Sequence, residues 1–255
     1  MFASFLNDPP DKLGFFESLG SVWRIRSLRM LIFTNAAFGF SLFGVVFWIP
    51  AFFERRYDFS TEEAAGALAI LAFAGFVGSW YGGPFADRSL GKGFGYLGKV
   101  GAWGAGLLTV TWSLAFVIPS AGICIFLLTA GALLASVGTG GLVSIIAAVS
   151  PPRIRAQAFA AFGLALAVCG AAAAPLAIGG ISEAFQAFAD MNDGDSLRWA
   201  MLLATSVVMT LGTWFAYEAA RTGAADAQRT MGEFLSDFQK RAAAQAAVQS
   251  PAAGD

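Results

Sequence analysis

The chain has 255 residues, 57% of them hydrophobic and only 13% charged, with a formal net charge of -1 and no histidine. Soluble domains carry about 25% charged residues; the net charge says nothing about nucleic acid, but no basic patch suits it, so nucleic acid is not expected as a partner. The missing histidine removes Ser–His dyads and histidine-ligated metal sites, and the two cysteines, Cys124 and Cys169, have no metal-ligand spacing.

Residues 1–28 read as a lead-in. Met1–Asn7 is too short an apolar stretch for a secretory signal, and the acidic Asp8-Pro9-Pro10-Asp11 follows it. Phe15-Phe16, Leu19, Val22-Trp23 and Ile25 recur at roughly helical spacing. An interfacial amphipathic helix and a loop touching lipid headgroups are both open for this segment. Uncharged apolar runs then follow at Met30–Phe53, Ala64–Ala86, Val100–Pro152, Ala156–Ser182 and Trp199–Tyr217. About 20 apolar residues suffice to cross the hydrocarbon core as a helix. Val100–Pro152 is too long for one crossing, and Pro119-Ser120-Ala121-Gly122 divides it. The fold class expected is therefore all-α integral membrane, with six transmembrane helices over residues 29–218. Ser60 or Thr61 can cap the second span, with Glu62 and Glu63 in its first turn. Between the second and third spans, residues 87–99 read as a Gly-rich basic loop. Pro151-Pro152 stop the fourth span, and Arg153 starts the fifth. Residues 219–255 read as a tail, with Glu233, Asp237, Lys240 and Arg241 suiting a short soluble helix and Ser250–Asp255 unstructured.

Charge distribution sets the orientation. With the N-terminus cytoplasmic, Arg55, Arg56 and Arg198 lie outside and the other 13 of the 16 basic residues lie inside. That is the positive-inside pattern, and it places both termini in the cytoplasm of a plasma or inner membrane. Gly82-Gly83 closes the second span before Asp87, and Gly179-Gly180 closes the fifth before Glu183. These two spans are the middle helices of two triplets that run in opposite directions, an arrangement common in secondary transporters. No Asp, Glu, Lys or Arg lies inside a span, where such groups are functional by default. No aspartate pair exists there for an intramembrane protease, so an enzyme is not expected, and no cofactor is called for.

The stretch Gly82-Gly83-Pro84-Phe85-Ala86-Asp87-Arg88-Ser89-Leu90-Gly91-Lys92 resembles the conserved cytoplasmic loop of the major facilitator superfamily, roughly G-x-L-A-D-R-x-G-R. Gly83, Ala86, Asp87 and Arg88 match; Phe85 replaces Leu, Leu90 is an extra residue before Gly91, and Lys92 stands for Arg. Phe47-Trp48-Ile49-Pro50-Ala51-Phe52-Phe53 is similar to the W-x-P-x-F ending of the seventh helix in spinster-like members. Ser150–Ala160 resembles the start of their eleventh helix. Ala174–Glu183 resembles their P-L-x-x-G-x-x-S-D segment with Glu183 for Asp, and Asp195–Ala200 the start of their last helix. These matches run in order across residues 47 to 200.

The resemblance is to the C-terminal six-helix half of such a transporter, with the lead-in similar to the linker between halves. It implies a secondary carrier working by alternating access on a small, amphipathic or lipid-like solute. Its partners are the lipid bilayer and a second six-helix half, either a separate chain or another copy. A non-transporting scaffold or a truncated gene product is the alternative. It also implies a conformational latch of Gly83, Asp87, Arg88, Gly91, Lys92 and Arg155, with Asp87 meeting the fifth helix near Arg155. Taken alone, the residues favour Asp87 and Arg88 simply solvating a tight turn. Asn35, Phe38, Ser136 and Thr139 are the candidate cavity residues, with a helix–helix hydrogen bond as the alternative for Asn35 and Ser136. Gly131, Ser136, Gly138, Thr139, Gly140, Gly141 and Ser144 on the fourth span are expected to leave backbone and hydroxyls exposed if no partner covers them.

Overall fold

A computed structural model describes residues 15–152 and 154–249. The described residues are almost wholly helical. Helix α1 (Phe15–Arg24) precedes α2 (Arg26–Tyr57), α3 (Thr61–Leu90), α4 (Phe94–Val117) and α5 (Ala121–Val149). Helix α6 runs Arg155–Leu166, widens to a π-helix at Ala167–Ala173 and returns to α at Ala174–Ala189. Helix α7 runs Asp193–Leu203, is π over Ala204–Val208 and continues as Met209–Gln249. Helices α2 to α7 are each long and apolar enough to cross a membrane, and the described residues form six spans of an integral membrane protein.

The division at Pro119 is where the sequence places it. Helix α4 ends at Val117 and α5 begins at Ala121. Ser60 caps α3: its hydroxyl accepts the Glu63 amide at 3.3 Å, and the Glu63 carboxylate accepts the Ser60 amide at 2.9 Å. This reciprocal pair satisfies two donors that a helix start otherwise leaves open. The lead-in is helical at Phe15–Arg24, with Val22 buried and Trp23 exposed, and it packs on α2 and α6. Arg153 and Ser250–Asp255 lie outside the described residues; the fifth span itself begins at Arg155. The expected basic loop at 87–99 is mostly helix, because α3 continues to Leu90 and α4 starts at Phe94. Gly93 makes the turn at φ +97°, a conformation that suits glycine. The expected short tail helix is instead continuous with the sixth span.

The helix contacts repeat under exchange of the triplets α2–α4 and α5–α7. Helix α3 packs on α5 as α6 packs on α2; α4 packs on α5 as α7 packs on α2; and α4 meets α7. Two inverted three-helix repeats account for that pattern. Small residues set the approach. A Cβ on Gly78 would lie 2.5 Å from the Leu133 carbonyl oxygen, and one on Gly138 would lie 3.3 Å from the Gly104 Cα. The α5 glycines are therefore not left bare as expected. Gly131 is covered by Thr111 and Trp112, Gly138 by Gly104 and Gly140 by Gly82, because α3 and α4 carry matching small residues. Packing of this kind holds helices together in lipid, where the hydrophobic effect does not.

The apolar interior has two clusters. One holds Phe52, Phe53, Trp112, Phe116 and Leu128, all buried, with the Trp112 indole donating to the Leu128 carbonyl at 2.9 Å. The other, around Leu28, Leu31, Ile145, Ile146 and Val149, lies toward the end of the bundle that holds Arg88, Lys99, Arg155 and Arg221. That is the basic end.

Candidate functional site

The two π segments have local causes. Pro175 has no amide hydrogen and its ring clashes with the carbonyl four residues back, which disturbs the ladder of α6 where the π segment lies. Directly after the π segment the Trp48 indole donates to the Pro175 carbonyl at 3.0 Å. In α7, Thr205 and Ser206 return their hydroxyls to the carbonyls of Met201 and Leu202, at 2.8 and 2.6 Å, which competes with the regular ladder. Ser41 of α2 then donates to the Ala204 carbonyl at 3.3 Å. Both irregular turns thus face α2.

Three of the four cavity candidates come together. Asn35, Phe38 and Thr139 line a recess of about 70 Å³ inside the bundle, closed by Leu142, Phe162 and Met209. Ser136 is not in it; it sits against Gly75 and Gly78 of α3. Asn35 is buried and its amide donates to the Phe162 carbonyl at 2.7 Å, so the helix–helix hydrogen bond is present at the cavity wall. Among the described residues nothing donates to its side-chain oxygen. The Thr139 hydroxyl donates within its own helix to the Ser136 carbonyl at 2.8 Å. A water needs on the order of 10–15 Å³, so the recess has room for a few waters and not for a solute.

The latch candidates are placed but not joined. Gly83 has open space around it, Asp87 and Arg88 are exposed, and Gly91 closes α3 with an ordinary right-handed φ of −60°. The Lys92 ammonium lies 4.9 Å from the Tyr96 ring centroid. Arg155 is exposed, and its guanidinium donates to the Ser150 carbonyl at 3.3 Å. Among the described residues no ion pair links Asp87 to Arg155, and α3 makes no substantial contact with the start of α6. The glycine of the pair that packs is Gly82, whose Cβ would lie 3.1 Å from the Ser136 carbonyl oxygen.

Charge counting missed two clusters that tie α2 to α7. At the basic end the Glu218 carboxylate accepts from Arg26 and Arg221, both at 3.1 Å, and Asp226 accepts the Ser27 amide at 3.1 Å. At the opposite end Asp195 pairs with Arg56 and Arg198, both at 3.4 Å, while Arg198 Nε donates to the Phe116 carbonyl at 2.7 Å. An acid three residues before or after an arginine on one helix was the available signal; the third member of each cluster comes from far along the chain. Among the described residues no group of acids, histidines or cysteines could hold a metal ion.

Solved structures similar to this chain include transporters. A bacterial homologue of the human lysosomal transporter Spinster, inward-facing and unoccupied, matches with a TM-score of 0.66 and 22% identity, over 86% of this chain and 53% of that one. The same homologue in an inward-facing, occupied conformation matches at 0.64 and 20% identity, over 80% of this chain and 50% of that one. The peptide transporter POT, a mutant in complex with sulfate, matches at 0.60 and 19% identity, over 96% of this chain and 49% of that one. The chain spans about half the length of these structures. It has the fold of one six-helix half of a major facilitator transporter. No protein-family profile and no curated protein matches it.

Proposed function

We propose that this chain forms the C-terminal half of a spinster-like major facilitator carrier, which moves a small amphipathic or lipid-like solute by alternating access and catalyses no reaction. The observation that carries the reading is the uneven covering of the bundle. The most apolar stretch of α6 is 17% buried and that of α3 28%, against 44% for α2. These are the middle helices of the two triplets, and a second six-helix half, on this polypeptide or another, would cover them. The recess beside Asn35 and Phe38 is too small for a solute by itself, which fits a site completed by rocking two halves together. Its mixed lining, aromatic with one amide and two hydroxyls, from Thr34 and Thr139, suits an amphipathic solute.

The latch belongs to this reading. Asp87 and Arg155 lie at the same end of the bundle, exposed and not bonded to each other. An unlatched cytoplasmic face is what an inward-facing conformation requires, and two of the similar structures are inward-facing. A carboxylate brought to the start of α6 would meet the positive end of a helix and the Arg155 side chain. The orientation follows from the basic residues, with both termini in the cytoplasm of a plasma or inner membrane. A membrane-impermeant maleimide should label a cysteine introduced at Asn192 from outside intact cells; labelling at Gln245 instead reverses the topology.

The test of function is flux. Liposomes holding a verified monomer of this chain should show no proton-driven accumulation of any solute. Co-reconstitution with the complementary six helices should give flux that Asn35→Leu removes. Accumulation by the monomer, or flux indifferent to Asn35→Leu, overturns the reading.

A further inference from the structure

Between α4 and α7, on the outer surface of the bundle, lies a groove of about 520 Å³, within the range of roughly 300–1,000 Å³ usual for ligand clefts. Its walls are Trp103 on α4 and Trp214 on α7, 71% and 55% exposed. The floor is made by small residues, with Gly106 beside the Thr213 methyl group.

Three features say what fits there. The hydroxyls of the floor are already engaged. Thr109 and Thr213 lie 3.3 Å apart, and each is 2.8 Å from a carbonyl of its own helix, Ala105 and Met209. Thr210 bonds back to Ser206. The groove therefore offers methyl groups and ring faces along its length, and its occupant is hydrocarbon. The length is that of one leaflet: from Lys99 to Val110 a helix rises roughly 17 Å, against about 15 Å for half of a 30 Å hydrocarbon core. The third feature is charge. The lining carries one charged side chain, Lys99, at the basic end, exposed and without an ion pair among the described residues. Tyr217 stands near it, and aromatic residues with polar tips gather at the headgroup level of a bilayer.

We propose that this groove binds one acyl chain of an anionic phospholipid, with Lys99 taking its phosphate. On the orientation given above the lipid belongs to the inner leaflet, the anionic one. The site is separate from the recess beside Asn35: it opens to lipid between α4 and α7, and neither of those is among the two least covered helices.

Native mass spectrometry of the purified chain in an equimolar mixture of phosphatidylglycerol and phosphatidylcholine tests this. One phosphatidylglycerol should be retained in preference. Lys99→Gln, at an exposed position, should reduce that preference about fivefold, the factor a single lysine near an anionic surface supplies. Gly106→Leu should cost retention of both lipids by filling the floor. Arg229→Gln, also at the basic end, should leave the preference unchanged. The proposal fails if the parent chain retains no lipid, if Lys99→Gln behaves as the parent, or if Arg229→Gln lowers the preference as far as Lys99→Gln does. It also fails if Gly106→Leu instead abolishes a dimer, which would make a second copy the occupant.

Discussion

Helices α3 and α6 hold equivalent places in the two triplets and reach them by different backbones. Each presses its glycines on the first helix of the other triplet: Gly78 and Gly82 on Leu133, Ser136 and Val137 of α5, and Gly170 and Gly179 on Gly39 and Trp48 of α2. Helix α3 does this as a regular α-helix from Thr61 to Leu90, with a capping box at its start. Helix α6 has no side-chain cap, and seven of its residues form a π segment ahead of Pro175. Equivalent packing therefore does not require an equivalent ladder. The contact fixes where a small residue must stand, and each helix adjusts its turns to deliver one.

Inserting bulk at the two crossings breaks the comparison hardest. Gly78→Leu and Gly170→Leu each drive a side chain into a neighbouring backbone, at 2.5 Å from the Leu133 oxygen and 2.7 Å from the Gly39 oxygen. Overpacking costs about 1–3 kcal/mol and sometimes more, so both should lower the melting temperature in detergent. A smaller loss at Gly170 would show that the wide turn takes up strain that α3 cannot. Next in size is the cap. Ser60→Ala should destabilise by about 1 kcal/mol, and tryptic cleavage after Arg56 should speed up; an unchanged melting curve would mean that packing alone holds the start of α3.

Pro175→Ala tests the cause of the π segment. A restored amide gives the Ala171 carbonyl a regular donor and lets the ladder close; if that shifts residue 175 away from the Trp48 indole, a hydrogen bond worth about 0.5–1.5 kcal/mol is lost, read as a shift in tryptophan emission. Pro84→Ala in α3, whose ladder stays α-helical around the proline, should raise stability by returning an amide hydrogen to the ladder, without changing helix type. The smallest structural effect is expected at the latch. Asp87→Asn, exposed and unbonded here, should stay within about 0.5 kcal/mol of the parent. In a complete twelve-helix assembly it should nonetheless slow transport. A large loss of stability with normal flux would make Asp87 a structural residue.

Residue types show the spans, the break at Pro119 and the cap at Ser60, because each follows from local chemistry: length against the bilayer, a ring without an amide hydrogen, a hydroxyl before a helix. The triplet symmetry was visible only as two glycine pairs, and the contacts show that the first member of each pair does the packing. What the sequence hides is pairing across distance. Nothing near Asn35 announces the Phe162 carbonyl, and nothing near Glu218 announces Arg26. A count of charges puts each on a side of the membrane and leaves its partner unnamed. The π segment was hidden for a related reason. Pro175 signals a disturbed turn, but a kink and a widened ladder both answer it, and the choice is made by Gly170 and Trp48 contacts with α2.

The acid–arginine clusters at both ends of α2 and α7 have a mechanical consequence. A pair of rods tied top and bottom resists sliding along one another, so in the proposed carrier a swing of the bundle would carry both as one beam. Strain from that swing has to be absorbed between the ties. The wide turn at Ala204–Val208, gripped there by Ser41, is where α7 has slack to give.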